Sequence, residues 1–272
     1  VLLVGTLSAD ATSRHPVRGH HGAVATSSRI ATEVGVEILR QGGNAVDAAI
    51  ATAFAMAVTW PTAGNIGGGG FLVYHDADGE ATAFDFREKA PLASTKTMYL
   101  DDDGNVRDNS NHDGILAVGV PGTVAGLELA HRRLGSMDWA TLVQPAIDLA
   151  RNGIPISWHL HDSFKGQNRW WAQYPSSAKI FLKPDGSFFQ PGDTWKQPDL
   201  AATLTRISDY GRDGFYKGET AELIHEFMEA NGGIITREDL AAYEAKEREP
   251  IRGTYRGYEI VSMPPPSSGG TA

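Results

Sequence analysis

The residue best placed to do chemistry in this sequence is Arg87, near the end of GNIGGGGFLVYHDADGEATAFDFREKAP, residues 64–91. Phe71-Leu72-Val73-Tyr74 is a short apolar run suited to a buried strand. Asp76-Ala77-Asp78-Gly79 is turn chemistry, and Glu80 to Phe86 alternates as a partner strand does, so a hairpin is predicted. An arginine directly after that second strand carries its guanidinium at a point fixed by a sheet. Residue chemistry alone leaves open what the cation meets.

Other constellations are weaker. Gly67 to Gly70 invites a phosphate-loop reading, but no Lys-Ser/Thr pair follows. The run also precedes a strand, whereas a phosphate loop follows one and opens a helix. No G-x-S-x-G elbow offers a serine nucleophile. The absence of cysteine removes disulfides, thiolate metal sites and a cysteine nucleophile. His159 and His161 have the alternate spacing that puts two imidazoles on one strand face. The sequence nominates no further ligands for a metal, so a structural role is expected for both. Asp101-Asp102-Asp103-Gly104-Asn105 lacks the alternating ligands and closing glutamate of a calcium loop and is expected to be an exposed turn. Trp170-Trp171 is expected to pack or to anchor a loop. The formal charge is 24 − 33 = −9 with no basic block, which argues against nucleic acid or an anionic membrane as partner. No run approaches the roughly 18 to 20 apolar residues that span a bilayer.

The elements that must position Arg87 are legible around it. Gly22 to Ser27 is a small-residue strand candidate, and Ser27-Ser28 offers an N-cap to a helix over 29–41 that Gly42-Gly43 ends. Asn44 caps the next helix, with Asp47 three residues on. Its body, Ala45 to Val58, carries seven alanines and is apolar all round, as a fully buried helix is. Trp60-Pro61 stops it. Beyond Arg87 a helical turn is predicted over 94–100, and a strand over 115–120 running into a helix from Val124 to Arg133 capped by Thr123. Further helices are predicted over 138–151, 198–210, 219–230 and 236–243, with strands over 252–256 and 258–261 around Gly257. Residues 157–199 read as irregular and rich in aromatics. At 272 residues and 41% hydrophobic, this mixture indicates an α/β or α+β chain with a substantial core and no internal repeat.

The sequence resembles the large-subunit portion of the γ-glutamyltransferase (glutathione hydrolase) family of N-terminal-nucleophile hydrolases. The blocks that carry this are GAVATSSRIATEVGVEILRQGGNAVDAAIATAFAMAV at 22–58, GNIGGGGF at 64–71 and DFREKAP at 85–91. They continue with AVGVPGTVAGL at 117–127, QPDLAATL at 197–204, GFYKGETA at 214–221, GGIITREDLAAY at 232–243 and YRGYEIVSMPPPSSGG at 255–270. They fall in the family's order and span nearly the whole chain.

The resemblance implies an α+β fold, the four-layer αββα sandwich, of which this chain would supply an incomplete, large-subunit part over 22–272. It implies a self-cleaving proenzyme whose nucleophile is a threonine at the small subunit's N-terminus, acting on γ-glutamyl amides such as glutathione without a cofactor. Water, an amino acid or a dipeptide would take up the acyl group. On this reading the threonine lies beyond Ala272, no catalytic residue is present in the chain, and the small subunit is its partner. Thr271 and the Gly269-Gly270 pair belong to a large-subunit segment, so neither the nucleophile nor the oxyanion hole is assigned to them. MPPPSSGGTA accordingly reads as a chain cut in mid-fold. The residue that maps is Arg87, which in the family binds the α-carboxylate of the glutamyl group, a task suited to a planar bidentate fork. Glu88 is expected to steady Arg87 or a neighbouring loop. The apolar start VLLVGTLSADA reads equally as the tail of a signal peptide or as a first strand. The family's frequent export makes the periplasm or the cell exterior the expected location. Two rival readings stand beside the γ-glutamyl enzyme: a glutaryl or cephalosporin acylase of the same family, and a non-catalytic glutamyl-binding protein.

Overall fold

The computed structural model describes residues 18–270, so the expectations for Val1 to Ala11 and for Thr271 fall outside the described residues. Helix α1 (Arg29–Arg40) begins where the Ser28 hydroxyl accepts the Ala31 N–H, and Gly42 ends it at φ +93°. Helix α2 (Ala45–Thr59) opens on a reciprocal capping box. The Asn44 side chain accepts from the Val46 and Asp47 N–H groups, and the Asp47 carboxylate accepts the Asn44 N–H at 2.9 Å. Asp47 is itself buried and also accepts the Ser136 hydroxyl and N–H, tying a distant turn to the start of α2. Ile50, Ala51, Phe54, Ala55 and Val58 of α2 are fully buried, as an alanine-rich helix apolar all round must be.

Strands β1 (Phe71–His75) and β2 (Ala81–Asp85) form the predicted hairpin, in antiparallel register from Phe71 opposite Asp85 to His75 opposite Ala81. Its turn is built by Asp76, whose carboxylate accepts the Asp78 and Glu80 N–H groups, and by Gly79 at φ +94°. Next come α3 (Thr123–Leu134), α4 (Trp139–Asn152) and the short β3 (Ile154–Pro155), which pairs with β4 (Thr194–Trp195). Between those two strands lie α5 (Trp158–Gly166), α6 (Asn168–Gln173) and α7 (Pro175–Phe181). The chain continues with α8 (Pro198–Tyr210), α9 (Asp213–Tyr216), α10 (Gly218–Ala230) and α11 (Arg237–Ala241). Then follow β5 (Lys246–Arg248), β6 (Ile251–Tyr255), β7 (Tyr258–Ser262) and a single 3-10 turn (Ser268–Gly270). Strand β5 joins the hairpin to make a three-stranded sheet of order β1-β2-β5, while β6 and β7 pair with each other. The core runs through α2, α3, α4 and α8. Phe54 meets Trp139 edge-on at 5.5 Å, and the Trp139 indole N–H donates to the Ile207 carbonyl at 2.8 Å. Among the described residues no helix is long and apolar enough to cross a membrane.

Two strand expectations fail for want of a ladder partner, and other local expectations shift in detail. Residues 22–27 are not a strand, because no ladder forms along them among the described residues. Residues 115–120 supply only a single bridge, Val120 to Lys89, and 94–100 fold as turns closed by i to i+3 hydrogen bonds. Gly122, not Thr123, occupies the N-cap of α3; Thr123 is already helical, and its hydroxyl donates to Asn65 Oδ1 at 2.6 Å. Residues 157–199 are more regular than expected, with three helices, the first capped by Ser157 accepting the Leu160 N–H.

Candidate binding site around Arg87

The period-two alternation of a strand sets the directions of side chains here. Phe84 and Phe86 lie on one face and are buried in the core, Asp85 is buried on the other, and Arg87, one residue past the end of the ladder, is exposed. The Arg87 side chain is 63% exposed and its Nε lies 3.5 Å from Glu88 Oε2, which places Glu88 beside Arg87 as expected. Its main chain, by contrast, is held from both sides. Asp85 Oδ1 accepts the Arg87 N–H at 3.0 Å, and the Tyr243 hydroxyl donates to the Arg87 carbonyl at 2.8 Å. The second Asp85 oxygen accepts from Arg248 Nε at 2.7 Å, across the pairing of Asp85 with Lys246 in β5. Burial raises the Tyr243 phenol above its ordinary pKa, and the carboxylates of Asp85 and Glu88 push the same way, so this hydroxyl stays a donor. The result is an exposed planar guanidinium, beside Glu88, on a stem held by hydrogen bonds from both sides.

The glycine run explains how the stem is held so closely. Gly70 and Phe86 exchange hydrogen bonds at 3.1 and 3.3 Å, extending the β1–β2 ladder by one pair. The Gly68 carbonyl accepts from the Gly122 and Thr123 N–H groups at the start of α3. A Cβ on Gly69 would lie 2.5 Å from the Phe86 carbonyl oxygen and 2.9 Å from the Glu88 nitrogen. On Gly70 it would meet the Phe86 ring at 2.8 Å, whereas on Gly67 nothing lies within 4 Å. Close approach is therefore required at Gly69 and Gly70 and not at Gly67.

A family model described as Gamma-glutamyltranspeptidase matches residues 31–272. The chain belongs to that family. It is 49% identical over 256 residues to a glutathione hydrolase proenzyme of Escherichia coli, covering 94% of this chain and 44% of the relative. It is 40% identical to the acylase ACY 1 proenzyme of a Pseudomonas species, covering 94% of this chain and 47% of that one. A crystal structure of Helicobacter pylori γ-glutamyltranspeptidase superposes with a TM-score of 0.93 at 51% identity, covering 94% of this chain and 74% of that chain. The chain thus spans less than half the length of the two proenzymes. Such γ-glutamyltranspeptidase neighbours confirm the α+β N-terminal-nucleophile hydrolase fold.

Within this γ-glutamyltranspeptidase-family chain, the histidine pair does not form a strand face. His159 and His161 sit in α5, where residues two apart point to different sides. His159 stacks on Trp60 at 4.3 Å, and His161 Nδ1 lies 2.7 Å from the Phe189 carbonyl, so both are structural. The Trp171 indole N–H donates to the Phe164 carbonyl at 2.7 Å and its ring stacks on Phe181 at 4.8 Å, while Trp170 stacks on Tyr174. Asp101 closes an exposed turn by accepting the Asp103 and Asn105 N–H groups. Sequence reasoning missed Asp85, Tyr243 and Arg248. A signal for Asp85 exists, since an aspartate two residues before its partner reaches that N–H as an Asx turn does. Tyr243 and Arg248 are brought in only by the fold.

Proposed function

We propose that this chain is the donor-gripping part of an autoprocessed enzyme that hydrolyses or transfers γ-glutamyl amides, with Arg87 holding the donor's α-carboxylate. The observation that carries this is an exposed guanidinium on a stem fixed at the end of β2, in a chain of the γ-glutamyltranspeptidase family. The donor carboxylate docks bidentately on the fork, which sets the γ-amide carbon at a constant distance from Arg87. A threonine Oγ supplied by the partner small subunit attacks that carbon. The threonine proton passes to the departing amine, and an ester to the glutamyl group remains. Water or an acceptor amine then attacks the ester and regenerates the threonine. Glutathione fits as donor because its glutamyl group presents a free α-carboxylate. Delivery to the periplasm or the cell exterior belongs to the same proposal, and activity in a periplasmic or culture-fluid fraction tests it.

The resemblance to a relative named as an acylase, ACY 1, supports a second reading, for which we take a glutaryl group as the acyl donor. A glutaryl group also ends in a carboxylate, so Arg87 serves either substrate. A panel of γ-glutamyl and glutaryl anilides offered to the full-length protein separates the two.

The decisive experiment is Arg87→Lys and Arg87→Ala in the full-length protein, with chromophore release from a γ-glutamyl anilide as readout. Two bands on a denaturing gel report maturation in the same samples. A hydrogen-bonded contact to a charged group is worth about 1.5–3 kcal/mol, so KM for the donor rises sharply in Ala and less in Lys. Unchanged donor kinetics in matured Arg87→Ala would remove Arg87 from the site.

A further inference from the structure

Arg87 combines an exposed side chain with a main chain held by hydrogen bonds on both sides. The β1–β2 ladder ends with Gly70 and Phe86, one residue short of Arg87. The hydrogen bonds that fix its two peptide groups come from side chains: Asp85 for the N–H and Tyr243 for the carbonyl. Each anchor is itself braced. Asp85 is pinned by Arg248 of β5. The Tyr243 ring is 2% exposed and stacks on Tyr216 at 5.6 Å with the rings 10° apart. Tyr216 in turn donates its hydroxyl to the Pro121 carbonyl at 2.8 Å. Space for the Tyr243 hydroxyl exists because residue 122 is glycine; a Cβ there would lie 2.1 Å from both that oxygen and the Phe86 carbonyl oxygen. A phenylalanine would fill the ring's place equally well, so the hydroxyl's distinct contribution is its bond to Arg87.

We infer that Tyr243 and the Asp85–Arg248 pair are positioning residues for donor binding, holding the Arg87 main chain so that its fork meets the donor carboxylate. This rests on the reading of Arg87 as the carboxylate arm. Both braces come from residues 243–248, more than 150 positions from Arg87 in the chain. The segment after α11 thereby sets donor affinity without touching the donor.

The test uses the full-length protein and a γ-glutamyl anilide. Tyr243→Phe and Arg248→Met are made singly and each in combination with Arg87→Ala, and maturation is followed on a denaturing gel. Tyr243→Phe should raise donor KM by about two- to tenfold, the equivalent of one neutral hydrogen bond, with kcat changed by less than about twofold. In the Arg87→Ala background the same change should leave KM within about 1.5-fold, because no fork remains to be positioned. A merely structural role predicts equal effects in both backgrounds, and that additivity overturns the inference while leaving Arg87 in place. An unaltered KM in matured Tyr243→Phe also overturns it. If Arg87→Ala itself leaves KM unchanged, the carboxylate reading falls and the inference falls with it. Should Tyr243→Phe fail to mature, Arg248→Met carries the same cycle, with the same non-additivity supporting the inference and the same additivity overturning it.

Discussion

Substituting alanine at two glycines of one run should give opposite results. Gly69→Ala introduces a methyl 2.5 Å from the Phe86 carbonyl oxygen, 2.9 Å from the Glu88 nitrogen and 2.9 Å from Glu88 Oε2. Comfortable heavy-atom contacts lie at about 3.5–4.0 Å, so the Phe86–Glu88 main chain must retreat by about 1 Å. Two of the three contacts are to backbone, so no rotamer change relieves them. Overpacking of this kind costs about 1–3 kcal/mol of stability. The displaced segment brackets Arg87, and a misplacement of about 1 Å can reduce turnover of a positioned substrate by about 100-fold. Gly67→Ala adds a methyl with nothing within 4 Å and should change neither property. The assay pairs thermal unfolding with kcat/KM for a γ-glutamyl anilide in the full-length protein, and a glutaryl anilide serves equally if that is the better substrate. Gly69→Ala indistinguishable from Gly67→Ala in both measurements would refute the claim that close packing of the glycine run fixes the Arg87 stem.

Two further perturbations test the scaffold. At Asp47, burial raises the carboxyl pKa, but the Ser136 hydroxyl and the N–H groups of Asn44, Ser136 and Met137 outweigh it, and the folded value lies below the ordinary one. A depressed pKa contributes stability that is complete above the unfolded value of about 3.9 and is lost as pH falls toward the folded value. Asp47→Asn should therefore lower stability at neutral pH and flatten the stability curve below about pH 4, measured by denaturant titration across pH. Tyr216→Phe removes the hydroxyl that donates to the Pro121 carbonyl and strands that acceptor in the core, so a loss of about 1–3 kcal/mol is expected in chemical unfolding.

What was legible in the sequence was local. The Asn44–Asp47 capping box, the Asp76–Gly79 turn and the start of α8 at Pro198 are each specified within four residues by side chains bonding nearby backbone or by proline's fixed φ. Apolar patterning did the same for α2 and the hairpin. The errors fall where a distant partner decides. Residues 22–27 and 115–120 have strand composition, yet composition supplies no ladder partner, while Lys246–Arg248 has none of that composition and becomes β5 because β2 offers an edge. The spacing of His159 and His161 suits a strand face, but Ser157 caps the segment as a helix, and a change of period reassigns every face.

The same division separates the two halves of the candidate site. The predicted hairpin points to Arg87, and the family resemblance over DFREKAP supplies the role expected of it. Its braces were invisible, because Tyr243 and Arg248 follow a short helix and acquire their roles only when β5 docks beside β2. That arrangement suits the chemistry proposed. A side chain fixed throughout could bind a carboxylate in one pose only, whereas a stem locked by Asp85, Tyr243 and Gly69 confines the loss of entropy on binding to the side-chain torsions of Arg87.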